Sequence, residues 1–238
     1  MTIDPVQNVK VLETDSGKVG YLTFNNHIAT AESELISAIT TLSESNVTDL
    51  VLDLRYNSGG YLAIASQLAY MIAGPSASGQ TFELLQFNDK HPSTNPVTGN
   101  ALTPTPFYSK SIGLSESEGR ELPYLNLSRV FVLTSADTCS ASEAIMNGLR
   151  GIDVEVIQIG DTTCGKPYGF YCLDNCGTTY ISIQFKGVNA KGYGDYSDGF
   201  SPRSDLLVHL YAIIYLHRII ILVLFGLQFV FNAFSPKS

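Results

Sequence analysis

The sequence predicts an α/β fold, in which mostly parallel strands form a layered sheet with flanking helices. Short apolar runs typical of strands alternate along the chain with segments of helical periodicity, and this alternation favours parallel pairing. The chain has 238 residues, of which 45% are hydrophobic and 15% charged, so it can close a sizeable core. The same composition excludes disorder as the main state.

Two strand–helix units are predicted in the first third of the chain. Residues 19–24 (VGYLTF) have the pattern of a strand, and residues 31–44 carry apolar side chains at helical spacing. Residues 49–54 (DLVLDL) form a nearly continuous apolar run, which is typical of a strand buried on both faces. Helical periodicity resumes at residues 61–73, directly after a glycine pair.

The stretch from residue 74 to residue 123 interrupts this alternation. It is rich in Pro, Ser, Thr, Asn and Gly and contains one strand candidate, residues 81–87. We therefore expect a long surface excursion, and such excursions are often lids or binding loops.

The alternation returns with a strand at 129–134, a helix from 140 to about 150 and a strand at 154–159. Residues 178–185 (TTYISIQF) alternate apolar and polar side chains, as expected of a half-exposed strand. The strand–helix alternation therefore extends over most of the chain.

The formal net charge of −8 comes from 22 acidic and 14 basic residues. A nucleic-acid partner is not expected, because proteins that bind nucleic acids usually carry a basic stripe and none is present here.

The last 33 residues differ in composition from the rest, which divides the chain into a folded domain at 1–205 and an apolar extension at 206–238. As a helix, Leu206–Phe234 would be about 43 Å long, enough to cross a bilayer core of about 30 Å. Arg218 near its middle makes such a span costly. A membrane anchor and an apolar terminal helix packed on the domain or on a partner both stay open.

The amino terminus and the cysteines give conflicting indications of the protein's location. The amino terminus has no basic segment followed by an apolar core, so no signal peptide is expected in this chain. Cys139, Cys164, Cys172 and Cys176 lie close together in sequence, which is compatible with disulfides in an oxidising compartment. A zinc site is the competing interpretation, although the spacing lacks paired C-x2-C knuckles.

Three loops directly follow predicted strands, where α/β folds tend to place ligands: Arg55–Gly60, Thr134–Glu143 and Ile159–Gly169. In the first loop, Gly59 and Gly60 allow positive φ, so that their amides can point at an oxyanion. An ordinary tight turn is the alternative interpretation of this glycine pair.

Ser140 and Lys166 are the candidate reactive residues of the other two loops. Ser140 with Glu143 three residues later is the pattern of a capping box. A serine at a helix start is equally suited to be a nucleophile, since the amide of Ala141 can donate to a tetrahedral oxyanion. Lys166 lies in a loop with few charged residues, where desolvation disfavours the ammonium form of a lysine. A neutral lysine there could take a proton from a serine hydroxyl. A plain helix cap and a solvated loop lysine are the alternatives.

Together the three loops resemble the motifs of the tail-specific, or C-terminal-processing, serine peptidases. DLRYNSGG is similar to the family element DLRxNxGG, CSASE to S-A-S-E, and IGDTTCGKPYG to G-x-x-T-x-G-K, in the family order. The segment GDYSDGFSP at 194–202 resembles the turn that closes the family's core. The resemblance covers about residues 18–202 and implies a layered ClpP/crotonase-like core with mostly parallel strands.

The resemblance implies a serine endopeptidase that acts on peptide or protein substrates through a Ser–Lys dyad, with no metal or other cofactor. Ser140 matches the family nucleophile, and Lys166 matches the general base that also protonates the leaving amine. The amide of Ala141 and one from Gly59 or Gly60 match the oxyanion hole. We expect an extracytoplasmic or periplasmic location, with membrane association through residues 206–234 if that segment is an anchor.

The chain also departs from the family pattern. The family usually carries Gln four residues after the lysine, whereas this chain has Phe170, so another group must hold Lys166. A signal peptide and a PDZ domain usually precede the core, and the chain is interpreted as a core fragment or truncated paralogue without them. These departures favour the rival hypothesis, a catalytically silent peptide- or ligand-binding module of the same fold, whereas the intact Ser140–Lys166 pair favours a peptidase.

His27 and His91 are further candidates for the base, in a Ser–His arrangement like that of the related tricorn-type peptidases. Neither lies in a motif, so Lys166 is the stronger candidate. A cysteine nucleophile would need a base that the sequence does not supply.

Two disulfide pairings are natural for the four cysteines. Cys139 adjoins the serine and Cys164 adjoins the Gly-Lys pair, so a bridge between these two loops is attractive on proximity. Cys172–Cys176 is the other natural pairing.

Overall fold

The structure is a computed structural model that describes residues 4–202. A central sheet contains strands β1 (Val6–Thr14), β2 (Gly17–Phe24), β3 (Asp49–Asp53), β6 (Arg129–Thr134) and β7 (Glu155–Gly160), in the order β1–β2–β3–β6–β7. The first pair is antiparallel and the other three are parallel. The mainly parallel sheet confirms the predicted α/β class.

In the described part of the chain, three α-helices flank this sheet: α1 (Ala31–Glu44), α2 (Leu62–Ala73) and α3 (Ala141–Gly151). The apolar face of α1 is buried at the four positions whose spacing predicts the helix, Leu35, Ile36, Ile39 and Leu42. The core strand β3 is buried at all five positions, as its continuous apolar run predicts.

A second sheet, of β4 (Thr81–Gln86), β5 (Thr105–Pro106), β8 (Tyr168–Gly169) and β11 (Phe185–Val188), is antiparallel in the order β5–β4–β11–β8. Strands β9 (Cys172–Asn175) and β10 (Thr178–Ile181) form a separate hairpin.

The prediction of one half-exposed strand at 178–185 is wrong, because the chain splits it between two sheets. Its first half forms β10 in the hairpin, and only its last residue enters β11. The hairpin buries neither face, so Tyr180 and Ile181 are 53% and 59% exposed. Apolar–polar alternation gives no information on whether a strand has a layer to pack against.

The predicted surface excursion at 74–123 is only partly on the surface. Its strand β4 joins the second sheet, and Phe82, Phe107 and Leu122 are buried in the core. The rings of Phe82 and Phe107 meet edge to face with their centroids 5.4 Å apart. The excursion is therefore an integral part of the domain and contributes side chains to its core.

Glu32, in the first turn of α1, attaches this excursion to the core. The side chain is buried, and its carboxylate accepts hydrogen bonds from the side chain of Gln67 and from four excursion amides. These amides are those of Ile112, Leu114, Ser115 and Glu116, at 2.7, 2.7, 2.9 and 3.2 Å. Although burial alone would raise the pKa of Glu32, these hydrogen bonds lower it below its ordinary value.

We expect Glu32→Ala to lower the free energy of unfolding by about 3 kcal/mol, because several buried donors lose their acceptor. The pKa of Glu32 is lower in the folded protein than in the unfolded chain. The stabilisation by Glu32 is therefore complete above the pKa of the unfolded chain and is lost as pH falls through the pKa of the folded protein. Urea titrations of parent and variant at pH 7 and below 4.5 measure both effects. A difference in stability that stays constant with pH would contradict the ionic role of Glu32.

The predicted apolar extension at 206–238 lies outside the described residues, as does its predicted membrane segment Leu206–Phe234. Between residues 4 and 202, the helices are too short or too polar to cross a bilayer.

Candidate active site

The three candidate loops meet because their strands are neighbours in the sheet. β3, β6 and β7 lie side by side and run parallel, so their carboxyl ends open at one edge. Backbone hydrogen bonds join the loops there, from the amide of Cys139 to the carbonyl of Asn57 (3.1 Å) and from the amide of Cys164 to the carbonyl of Thr138 (3.0 Å).

Asn57 holds the glycine turn of the first loop. Its side-chain Nδ2 donates to the carbonyl of Phe24 (2.9 Å), which directs Oδ1 toward the turn. Oδ1 then accepts a hydrogen bond from the amide of Gly59 at 3.0 Å. Because that amide is used internally, Gly59 cannot also donate it to a ligand in this arrangement.

Gly59 packs directly against the start of α3. A Cβ at this position would lie 2.8 Å from Ser140 Cβ and 2.9 Å from the amide nitrogen of Ala141. Its φ of +101° is also one that side-chain-bearing residues rarely adopt. The amides of Gly60 and Ala141 have no hydrogen-bond partner among residues 4–202, so both are free to bind an acceptor.

Ser140 lies at the N-cap of α3 with φ 56° and ψ −115°. This conformation is strained for a residue with a side chain, and such strain concentrates at functional sites. A serine raised on a strained strand-to-helix turn is the arrangement that exposes a nucleophilic hydroxyl. The sequence predicted the helix start but carried no signal of this conformation.

Glu143 connects the serine loop to the lysine loop. Its buried carboxylate accepts hydrogen bonds from the amide of Ser140 (2.9 Å), as the capping box predicts. It also accepts from the amides of Gly165 and Lys166, both at 2.8 Å, and from the hydroxyl of Thr163 at 2.6 Å. Sequence analysis missed this second role, since S-x-x-E alone predicts only a cap.

A disulfide between Cys139 and Cys164 joins the same two loops, as their proximity to the motifs suggested. These sulfurs are therefore not available as the thiolates that the zinc alternative requires. Cys172 and Cys176 are free and exposed, so the second natural pairing is not formed.

Lys166 is half-buried beside the residue that replaces the family glutamine. Its Nζ lies 5.1 Å from the centre of the Phe170 ring, a cation–π contact. The Phe170 ring therefore contacts the lysine side chain, while the Glu143 carboxylate accepts a hydrogen bond from the lysine amide.

The segment at 194–202 closes over the lysine loop. The amide of Phe200 donates to Thr163 Oγ1 (2.8 Å), and the amide of Thr163 donates back to the carbonyl of Phe200 (3.0 Å). The buried rings of Tyr196 and Phe200 stack with their centroids 4.5 Å apart.

One cavity of about 820 Å³ contains the candidate residues of all three loops, Gly59, Gly60, Ser140 and Lys166. Its walls are largely apolar or aromatic, and the excursion contributes to them. The pocket size and lining suit an extended peptide or a comparable organic ligand.

His27 also lines this cavity, whereas His91 does not. The Asn57 Oδ1 accepts a hydrogen bond from His27 Nδ1 at 2.9 Å, because Asn57 Nδ2 is committed to the Phe24 carbonyl. The proton is thereby assigned to Nδ1, and Nε2 is a buried acceptor without a partner among the described residues. Burial lowers the pKa of His27 to about 4, so the ring is neutral at pH 7.

The chain is similar in sequence to proteins of known family. The model of peptidase family S41 matches residues 18–169. A carboxyl-terminal-processing protease from Picosynechococcus sp. (strain ATCC 27264 / PCC 7002 / PR-6) is 35% identical over 69 residues, which are 29% of this chain and 16% of that protein. This chain thus spans a small part of that relative's length.

Solved structures show the same fold. An S41 protease from Bacteroides fragilis NCTC 9343 superposes with a TM-score of 0.72 at 26% identity, covering 95% of this chain and 59% of that one. The photosystem II D1 C-terminal processing protease has a TM-score of 0.56 at 20% identity, covering 85% of this chain and 48% of that one. At this identity the second likeness concerns the fold alone.

Proposed function

Since the chain belongs to peptidase family S41, we propose that it is a serine endopeptidase of the tail-specific type, with Ser140 as nucleophile and Lys166 as general base. The observation that carries the proposal is the backbone of Ser140, strained at a helix start and bound through Glu143 to the loop of Lys166. A helix cap without further function has no need of that strain.

The proposed reaction uses groups of the chain alone. Lys166 Nζ takes the proton of Ser140 Oγ as the oxygen attacks the scissile carbonyl carbon. The amides of Ala141 and Gly60 donate to the resulting oxyanion, with Gly60 favoured over Gly59 because the Gly59 amide is bound to Asn57. The lysine then gives its proton to the leaving amine, and water releases the acyl group from Ser140.

The proposed substrates are proteins or peptides that enter the cavity in an extended conformation. We further propose an extracytoplasmic site of action, which the disulfide between Cys139 and Cys164 supports, since structural disulfides persist in oxidising compartments. Membrane association through residues 206–234 stays a prediction.

A fluorophosphonate probe tests the nucleophile and the base together. We expect one probe per chain, found by mass spectrometry on the peptide that contains Ser140, and no labelling of Ser140→Ala. We expect Lys166→Ala to slow labelling by about 10²- to 10⁴-fold, the usual contribution of a general base, and His27→Gln to label readily.

Each other outcome has a definite meaning. Labelling of Ser140→Ala would identify a different nucleophile. Fast labelling of Lys166→Ala with slow labelling of His27→Gln would assign the base to the histidine, whose Nε2 carries a free lone pair. An unreactive but folded parent protein would favour the silent binding module.

A further inference from the structure

Glu83 is a buried acid that faces the candidate active site. It lies on β4, is 6% exposed and lines the cavity together with Leu85, two residues along the same strand face. Phe82, on the opposite face of β4, packs so closely against α3 that a Cβ at Gly148 would lie 2.6 Å from its ring. Glu83 therefore lies on a strand that supports the helix beginning at the nucleophile.

Among the five buried acids of residues 4–202, Glu83 alone has no partner. Asp49 and Asp53 each accept two hydrogen bonds from an arginine side chain, and Glu32 and Glu143 accept hydrogen bonds from several amides. Among residues 4–202, no hydrogen bond or ion pair reaches the carboxylate of Glu83, although the side chain is buried. A buried charge without a counter-charge is costly, so an unpaired acid facing a cavity indicates a missing ligand group.

The residues around Glu83 leave space for its carboxylate and for the apolar part of a ligand side chain. A side chain at position 187 would overlap the Glu83 carboxylate, so the glycine on neighbouring β11 preserves the space. Phe185 and Tyr196 give the cavity aromatic walls near this end of β11. The combination of an apolar channel and an acid suits a side chain that is apolar along its stem and charged at its tip.

We propose that Glu83 is a specificity-determining residue that binds the positively charged side chain of a substrate lysine or arginine inside the active-site cavity. This inference rests on the proposed peptidase function and specifies its substrate class. A cation supplies both the hydrogen bonds and the opposite charge that the carboxylate lacks, whereas a neutral donor supplies only the former.

The titratable groups around Glu83 allow a pH dependence to be derived. Those that line the same cavity are His27, Tyr61, Tyr108, Lys166, Tyr168, Tyr171, Cys172 and Tyr196. Of these, Tyr196 interacts electrostatically with Glu83. The pKa of Tyr196 is raised mainly by burial and further by the carboxylates of Glu83 and Glu143. Tyr196 therefore stays a neutral hydroxyl.

Burial raises the pKa of Glu83 itself to about 7. The free site is thus largely protonated at pH 6 and largely ionised at pH 8. A bound cation favours the ionised form, so affinity rises with pH through about 7 and then levels off.

Binding of p-aminobenzamidine, followed by its fluorescence, tests the site without requiring hydrolysis. We expect the parent protein to bind it about tenfold more tightly at pH 8 than at pH 6. Glu83→Gln should weaken binding at pH 8 by at least about tenfold and remove the pH dependence. The matched control Glu155→Gln, at an exposed position on β7, should bind as the parent does.

Neutral p-aminobenzamide should bind the parent and Glu83→Gln equally. Because glutamine has the shape of glutamate and removes a buried charge, Glu83→Gln should fold, and its melting temperature should equal or exceed that of the parent. Equal binding of p-aminobenzamidine to the parent and Glu83→Gln, or binding independent of pH, would overturn the proposal.

Hydrolysis of fluorogenic peptides that differ at a single residue separates this inference from the proposed function. We expect a preference in kcat/KM for lysine or arginine over methionine of at least about tenfold at pH 8, which Glu83→Gln abolishes. Cleavage with no such preference would refute the role of Glu83 while supporting a peptidase. Probe binding that depends on Glu83, without any cleavage, would support the cation site and refute the peptidase.

Discussion

Glu143→Ala is expected to lower kcat/KM for peptide hydrolysis by at least about 100-fold, although Ser140 and Lys166 are both retained. The carboxylate of Glu143 binds the amides of both residues, and misplacing reactive groups by about 1 Å costs about that much in rate. The substitution also leaves three amides and a hydroxyl without an acceptor in a buried site. We therefore expect a loss of about 3 kcal/mol in the free energy of unfolding.

Glu143→Gln is expected to be nearly as damaging as Glu143→Ala. Each carboxylate oxygen of Glu143 accepts two hydrogen bonds, and in glutamine one of these oxygens becomes an NH₂ group that faces two donors. The measurements are kcat/KM, the rate of fluorophosphonate labelling and urea denaturation, with exposed Glu155→Ala as the control. A Gln variant that retains most of the parental activity and stability would show that Glu143 does not organise the site.

Gly59→Ala is expected to reduce kcat by about 10²- to 10³-fold, the range seen when one oxyanion-hole donor is lost. The new methyl group would lie 2.8 Å from the carbonyl oxygen of Cys139 and from Ser140 Cβ, and 2.9 Å from the Ala141 nitrogen. Relief of these contacts must shift either the nucleophile or the oxyanion donor.

Gly79→Ala is the matched control, because it separates steric overlap from the cost of positive φ. Gly79 also has a positive φ, of +73°, but nothing lies within 4 Å of a Cβ built there. Both variants should lose about 1 kcal/mol or more of stability from backbone strain, whereas only Gly59→Ala should lose activity. Equal kcat values for parent and Gly59→Ala would contradict the proposed arrangement of the oxyanion hole.

Local patterns predicted much of the framework. Residues 31–44 and 129–134 have the predicted bounds, because a helical apolar stripe and a buried β-branched run are properties of contiguous sequence. Strand β1, by contrast, was not predicted, since it is short of buried residues and owes its conformation to pairing with β2. Elements formed by distant partners carry little local signal.

For the site, the order of motifs predicted the candidate residues but not the hydrogen bonds that fix their positions. The sequence by itself determined the α/β alternation and the three loops after parallel strands, and it identified Ser140, Lys166 and the glycine pair as the candidate residues. Only the tertiary structure decided that Glu143 joins two loops, that Asn57 uses the Gly59 amide and that Glu83 has no counter-charge. The physical reason is that hydrogen bonds, burial and electrostatic interactions depend on distances between residues far apart in the chain, which a linear pattern does not contain.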